Sequence, residues 1–201
     1  MVITCLHGFL GSPRAWDFLR DAGFAIETPR LDAVPHHGDI LLGYSLGGRL
    51  ALRALLAGAN YNRAIFVSTG LGIEDEAARS ARRTSDEAWA RRFESEDFDT
   101  VMAAWNAQPV LAGPALARTR ADYDPRALCE WSSGVLPPVA SRLHQLTIPT
   151  LWIAGARDVK YVLEAKKAAS LAPNARVVIV EDAGHRVPWE QPIEFATLLN
   201  H

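Results

Sequence analysis

The chain has 201 residues, of which 49% are hydrophobic and 22% are charged, and its net formal charge at pH 7 is −2. This length and composition suit one globular α/β domain, and the charge disfavours a nucleic-acid or anionic-membrane partner. The short N-terminal apolar stretch does not resemble a signal peptide or a membrane span, so we expect a cytoplasmic protein. Cys5 and Cys129 have no metal-ligand spacing, and we expect both to be reduced and structural.

The first predicted strand runs from Val2 to Leu6 and leads into His7-Gly8-Phe9-Leu10-Gly11. A strand that ends in HG-x-x-G, upstream of a G-x-S-x-G motif, is typical of an oxyanion loop. The backbone N–H of Phe9 would pair there with that of Leu46. His7 could act as a base, but shaping the loop is the more ordinary role. Ser12-Pro13 then predicts a helix start, and this helix should extend to about Gly23.

The second predicted strand, Phe24 to Glu27, is separated from the third by an unusual connector. Pro29 to Gly38 has no helical pattern, and Asp39 already opens the next strand. Parallel strands are normally joined by a dozen or more residues, usually helical. Ten extended residues span roughly 33 Å, which covers a strand length of about 17 Å and a lateral step of roughly 10 Å. We therefore predict an extended crossover, with His36-His37 facing solvent rather than binding metal.

The centre of the pattern is Gly43-Tyr44-Ser45-Leu46-Gly47, between the apolar run Ile40 to Leu42 and an amphipathic segment from Arg49 to Gly58. Strand, G-x-S-x-G and helix together form the nucleophile-elbow pattern. The turn is tight and strained, so glycine is needed on both sides of the serine. The serine hydroxyl would stand at a helix N-terminus, which favours negative charge.

After a predicted strand from Ala64 to Ser68, strand signals are absent from Glu74 to about Leu143. Thr84-Ser85-Asp86-Glu87 has the form of a capping box that opens a helix, and Phe98, Val101, Met102 and Trp105 fall on one face of a second helix. Further helices are expected around Leu116 to Ala121 and Pro125 to Ser132. We expect a helical cap inserted at about residues 74–143 within a single domain that spans residues 1–201.

The sheet resumes at Thr150 to Ala154, and Asp158 follows this strand closely. A helix is predicted from Lys160 to Leu171, a last strand from Val177 to Val180, and a terminal helix after Trp189. His185 lies on the loop after the last strand. A catalytic serine needs an imidazole acceptor, and the imidazole needs an acid that fixes its tautomer. Ser45, Asp158 and His185 occur in the order of an α/β-hydrolase triad, with Asp182 as the competing acid.

The whole pattern resembles the α/β-hydrolase superfamily, with six parallel strands in the spatial order second, first, third, fourth, fifth, sixth. More closely, it is similar to the MenH family of 2-succinyl-6-hydroxy-2,4-cyclohexadiene-1-carboxylate synthases. The specific part of the resemblance is Arg49 together with two cap segments, RSARRTSDEAWARRF from Arg79 to Phe93 and WNAQPV from Trp105 to Val110. This family usually has two further N-terminal strands and a helix in place of the extended crossover, which changes the scaffold more than the site.

The resemblance implies a lyase of menaquinone biosynthesis whose triad serine removes a proton while pyruvate is eliminated from a small polycarboxylate substrate. It implies no metal and no organic cofactor. The implied substrate-binding residues are Arg49, Arg82, Arg120, Trp105 and Tyr44, with Arg118 competing for the place of Arg120; otherwise each arginine is an ordinary surface charge. The alternatives are a serine carboxylesterase or C–C-bond hydrolase that forms an acyl-enzyme, and a binding protein without activity. The oligomeric state is left open.

Overall fold

The computed structural model describes residues 1–114, 116 and 118–200. A six-stranded, all-parallel sheet has the order β2-β1-β3-β4-β5-β6, which confirms the predicted fold and strand order. The strands are β1 Ile3–Leu6, β2 Ile26–Glu27, β3 His37–Tyr44, β4 Asn60–Val67, β5 Thr150–Gly155 and β6 Ala175–Val180. The second strand is therefore shorter than predicted, and the third begins two residues before Asp39.

Both faces of the sheet are covered, which explains why its central strands are nearly continuous apolar runs. Adjacent side chains of β3 point to opposite faces: Leu41 belongs to one buried cluster and Leu42 to the other. The helices of the sheet layers are α1 Asp17–Asp21, which follows a 3₁₀ turn at Pro13–Trp16, α2 Leu46–Leu56, α6 Val159–Leu171, α7 Val187–Glu190 and α8 Pro192–Leu198. Two cores on either side hold the strand ends, and with them the candidate site, in fixed positions.

The connector between β2 and β3 contains no helix, as the sequence predicts. The hydroxyl of Tyr61 donates to the carbonyl of Pro35 at 2.9 Å, while Leu31 and Val34 pack against the core. These contacts hold the extended crossover on the sheet without a helix. His36 and His37 are exposed, in agreement with the solvent-facing interpretation.

Residues 74–143, called the cap segment below, contain α3 Glu76–Ser95, α4 Phe98–Asn106 and α5 Arg126–Cys129. The predicted capping box at Thr84 is wrong, because α3 begins nine residues earlier with Asp75 as its N-cap. The carboxylate of Asp75 accepts from the N–H of Ala78 at 2.7 Å, whereas the hydroxyl of Thr84 donates to the carbonyl of Ser80 within the helix. The run Thr84 to Glu87 matches a capping box only in sequence.

The remainder of the cap segment is less helical than predicted. Only a 3₁₀ turn at Arg120–Asp122 falls in the third predicted helix, which also includes residue 117, outside the described residues. The fourth is the short α5. Cys5 is buried as expected of a structural residue, but Cys129 is exposed. Within the part of the chain that is described, no helix has the length and apolarity that a membrane span needs.

Candidate active site

Ser45 occupies the sharp turn between β3 and α2. Its backbone has φ 52° and ψ −110°, a conformation that non-glycine residues rarely adopt and that is found where the surrounding structure enforces it. The flanking glycines allow this turn. A Cβ atom on Gly43 would lie 2.5 Å from the Cα of Gly48, and one on Gly47 would lie 2.3 Å from the carbonyl oxygen of Leu6. The G-x-S-x-G pattern therefore has a steric cause in this fold.

Ser45, His185 and Asp158 are joined in one hydrogen-bonded chain. His185 Nε2 lies 3.1 Å from Ser45 Oγ, and His185 Nδ1 lies 2.7 Å from Asp158 Oδ2. The tautomer that satisfies both contacts carries its proton on Nδ1, leaving Nε2 as the acceptor for the serine hydroxyl. His185 and Asp158 are both buried, so water has little access to the hydrogen bond between them. The arrangement can remove a proton from Ser45.

The competing acid, Asp182, has no side-chain contact with the imidazole among the described residues. It sits on the loop after β6 with φ 54° and is exposed, and its backbone carbonyl accepts from the side chain of Gln191. The acid that contacts His185 is therefore Asp158, which stands at the start of α6 just beyond β5.

Phe9 and Leu46 border the same cavity as Ser45. Leu46 is the first residue of α2, where amide N–H groups have no intrahelical acceptor. The amide of Phe9 likewise has no hydrogen-bond acceptor among the described residues. Two amides without partners, on either side of the serine, are the arrangement that the oxyanion interpretation requires.

His7 is largely buried beside this loop, and burial lowers the pKa of its imidazole. Its Nδ1 lies 2.9 Å from the carbonyl oxygen of Gly8, and its side chain fills the space next to Gly11. These contacts are those of a loop-shaping residue, and the imidazole that contacts Ser45 belongs to His185.

A cavity of about 250 Å³ lies between Ser45 and the cap segment. Its aromatic wall is built from the cap residues Trp89 and Trp105, whose ring centroids are 4.9 Å apart, and from Phe9, 4.7 Å from Trp105. Tyr44 also borders it and packs its ring against His185. Trp105 and Tyr44 thus lie where the sequence places them, and the cavity is wide enough for a small organic molecule.

Arg49 projects from α2 into this cavity one helical turn after Ser45. Its Nη2 donates to the carbonyl of Trp131 at 2.8 Å, while its Nη1 is buried without a partner among the described residues. Burial lowers the pKa of this guanidinium to about 10, which leaves it charged at neutral pH. A buried cation with an unused donor next to the serine is a candidate site for a carboxylate.

Arg82 reaches the cavity from α3. Its Nε donates to both oxygens of the buried Asp86 carboxylate at 2.8 Å. The two terminal nitrogens have no hydrogen bond in the described part of the structure. Asp86 therefore holds the guanidinium by one edge and leaves the other edge for a second anion.

Arg120 does not border the cavity in this structure, unlike the other four residues of the predicted substrate site. The residue is exposed on the cap surface, where its Nη2 is 3.5 Å from the carbonyl oxygen of Glu94. Arg118 instead borders a small adjoining cavity beside Tyr44 and Trp105, and burial lowers its pKa. The segment 109–122 is mostly irregular, so no helical period fixes which of two arginines points inward.

Tyr161 and Lys160 also border the cavity and are absent from the sequence-based site. The Tyr161 ring lies 4.5 Å from that of His185, so the imidazole has tyrosine rings packed against it from β3 and from α6. The position of Tyr161, three residues after the triad acid and in the first turn of α6, is a signal that could have identified it.

Comparisons with known proteins address the family and the fold of the chain. Residues 3–198 match the alpha/beta hydrolase family. A 2-succinyl-6-hydroxy-2,4-cyclohexadiene-1-carboxylate synthase of Salmonella paratyphi A is 28% identical over 228 aligned residues, covering 94% of this chain and 88% of that protein.

Among solved structures, MenH from S. aureus is 26% identical with a TM-score of 0.89, covering 100% of this chain and 92% of that one. An esterase from Exiguobacterium antarcticum, 15% identical with a TM-score of 0.69, covers 100% of this chain and 90% of its own. At that lower identity the likeness extends to the fold alone.

Proposed function

The chain belongs to the alpha/beta hydrolase family, and from that premise we propose that it is a carbon–oxygen lyase of menaquinone biosynthesis. The proposed reaction eliminates pyruvate from 2-succinyl-5-enolpyruvyl-6-hydroxy-3-cyclohexene-1-carboxylate. The product is 2-succinyl-6-hydroxy-2,4-cyclohexadiene-1-carboxylate. The observation that carries this proposal is Arg49, a buried guanidinium one helical turn after Ser45 with one nitrogen that has no partner among the described residues.

The arginines separate this reaction from ordinary ester hydrolysis. The substrate carries carboxylates on the enolpyruvyl group, the ring and the succinyl arm, and burying such an anion is costly unless its charges are paired. Arg49 of α2 and Arg82 of α3 both border the cavity, and each has guanidinium nitrogens without a hydrogen bond in the described part of the chain. A pocket for neutral esters has no need of two such guanidinium groups.

In the proposed mechanism, Ser45 Oγ takes the proton from the ring carbon that bears the succinyl group, and His185 Nε2 accepts the serine proton. The electrons of the broken C–H bond first form an enolate with the succinyl ketone. When this enolate collapses, the 2,3 double bond forms, the original 3,4 double bond shifts to the 4,5 position, and the C–O bond to the enolpyruvyl group breaks in the same step. The departing pyruvate enolate takes up the proton that His185 Nε2 accepted and becomes pyruvate, so atoms and charge balance.

The neighbouring groups support each part of this proton transfer. Negative charge develops on the succinyl ketone, and the amides of Phe9 and Leu46 would stabilise it. Asp158 would stabilise the imidazolium that forms on His185. The Trp89 and Trp105 side of the cap segment would exclude water from the reacting carbon.

The decisive experiment supplies the enolpyruvyl substrate to the purified protein and follows pyruvate release together with a new diene absorbance. We expect both signals to rise with the same rate and to vanish in Ser45→Ala. A protein that produces neither signal, although it is folded, contradicts the lyase assignment.

A serine carboxylesterase or C–C-bond hydrolase is the second candidate, because the contact between His185 and Ser45 equally suits attack on a carbonyl. The two reactions differ in one intermediate. A hydrolase accumulates an acyl group on Ser45, whereas the lyase leaves the serine unmodified throughout. Mass spectrometry of the protein during turnover distinguishes them, and a mass increase on Ser45 would favour the hydrolase.

A further inference from the structure

Glu190, at the end of α7, has a carboxylate that is almost fully buried, with 3% of its side chain exposed. Its Oε2 accepts from the backbone N–H of Gly184 at 2.8 Å and from Arg157 Nη2 at 2.9 Å. Its Oε1 accepts from the backbone N–H of Arg186 at 2.9 Å. Both oxygens are therefore committed, and all three partners are donors.

The positions of these donors are informative. Gly184 and Arg186 are the residues on either side of His185, and Arg157 directly precedes Asp158. The Glu190 carboxylate thus accepts hydrogen bonds from the backbone of the loop that carries His185. It also accepts one from a side chain of the loop that carries Asp158. These two loops follow different strands, β6 and β5, and their relative position sets the distance between His185 and Asp158.

We propose that Glu190 is a positioning residue that holds the His185 loop in register with Ser45 and Asp158. The inference rests on the proposed catalytic role of these three residues. The imidazole must keep a 3.1 Å contact with the serine and a 2.7 Å contact with the acid from a loop that has no strand or helix hydrogen bonds of its own at Gly184. Charge-assisted bonds to two flanking amides fix that backbone directly.

Glutamine cannot replace Glu190 in this arrangement, although it has the same shape. Its amide group has one accepting oxygen, and its NH₂ group would face a backbone N–H or the Arg157 guanidinium, donor against donor. Glu190→Gln therefore tests the contacts without opening a cavity. Glu194→Gln, with the same chemical change on an exposed residue of α8, is the matched control.

In Glu190→Gln we expect kcat to fall tenfold or more while KM stays within about threefold, because the substrate pocket is unchanged. The low-field proton NMR signal of the His185 Nδ1–H should broaden or move upfield as its bond to Asp158 loosens. Glu194→Gln should match the wild-type protein in both measurements. If Glu190→Gln keeps kcat within twofold, or loses activity with an unchanged Nδ1–H signal, the positioning role is overturned.

Should Glu190→Gln fail to fold, Glu190→Asp provides the same test, since it keeps the charge but is too short to reach both amides. The same fall in kcat with a displaced Nδ1–H signal supports the proposal, and unchanged values overturn it. The NMR comparison needs no substrate. If the wild-type protein does not release pyruvate, the proposed function fails while the effect of Glu190 on His185 is still measured.

Discussion

The two halves of the site are held in place by different forces. The triad half stands at the ends of β3, β5 and β6, and central side chains of β3 and β5, including Leu41, Leu42 and Ile153, are fully buried. In the cap half, α3 has 20 residues and buries only Asp86, Ala90 and Phe93. Close packing fixes the first half, while the second has a smaller buried cluster together with guanidinium contacts.

The guanidinium contacts of the cap segment join its parts to one another and to the connector between β2 and β3. Arg83 Nη1 donates to the carbonyl of Gly134 at 3.0 Å, and Arg126 Nη1 reaches the carboxylate of Asp32 at 2.8 Å. An exposed ion pair such as Arg126–Asp32 stabilises weakly. We infer that the triad half is preorganised for proton transfer, whereas the cap half can yield to admit a substrate and supplies recognition.

The largest effect should come from the triad half. Ser45→Ala removes the hydroxyl that contacts His185, and we expect turnover to fall on the order of 10³-fold or more. The protein should stay folded, because the substitution removes one oxygen from a cavity wall. Pyruvate release and circular dichroism measure the two outcomes. Activity within about tenfold of wild type would show that the elbow assignment is wrong.

Matched phenylalanine truncations test the contrast in packing. Phe66 of β4 and Phe93 of α3 are both fully buried, but Phe66 lies in the core against the sheet and Phe93 in the small cap cluster. We expect Phe66→Ala to lower the free energy of unfolding by about 3–5 kcal/mol. Phe93→Ala should lower it less, because the cap can loosen locally while the sheet stays intact.

Denaturant unfolding and kinetics provide the measurements for this pair. Phe93→Ala should raise KM for the enolpyruvyl substrate, since Phe93 packs against Phe9 and Trp105, which border the cavity. Equal losses of stability in the two variants, with KM unchanged, would mean that the cap and the sheet form one cooperative unit.

Substitutions of Arg82 test whether the cap segment recognises the carboxylates of the substrate. Arg82→Ala should lower kcat/KM for the enolpyruvyl substrate. We expect the loss to correspond to about 2–5 kcal/mol of transition-state stabilisation, as when one partner of a buried charge pair is removed. Arg82→Lys should reduce it about tenfold or more, because an ammonium cannot bind Asp86 by one edge and a carboxylate by another.

Hydrolysis of a simple neutral ester, if the protein catalyses it, is the control for Arg82 and should be nearly indifferent to both changes. An equal slowing of both reactions would make Arg82 a structural residue, and the lyase assignment would lose one of its two guanidinium supports.

The same contrast explains how far the sequence could predict the structure. The elbow follows from a short motif, because steric limits at Gly43 and Gly47 leave few alternatives. The order of Ser45, Asp158 and His185 along the chain indicated their contacts, whereas the strand order was expected from the resemblance to the α/β-hydrolase superfamily. The start of α3 was missed because a chance Thr-x-x-Glu run lies inside the helix, and the true N-cap, Asp75, has glutamate next to it and not three residues later. The contacts of Glu190 could not be predicted from the sequence, because they join loops that meet only in the folded protein.

The choice between Arg118 and Arg120 is the smallest test of the cap half. Arg120 is exposed, and most surface substitutions change little, so Arg120→Ala should leave kcat and KM within about twofold of wild type. Arg118 is largely buried beside Tyr44 and Trp105. Arg118→Ala should raise KM about fivefold and change kcat less, because it removes a positive charge near the anionic substrate. Steady-state kinetics of the two variants decide the matter, and a larger effect from Arg120→Ala would mean that this segment moves inward when the substrate binds.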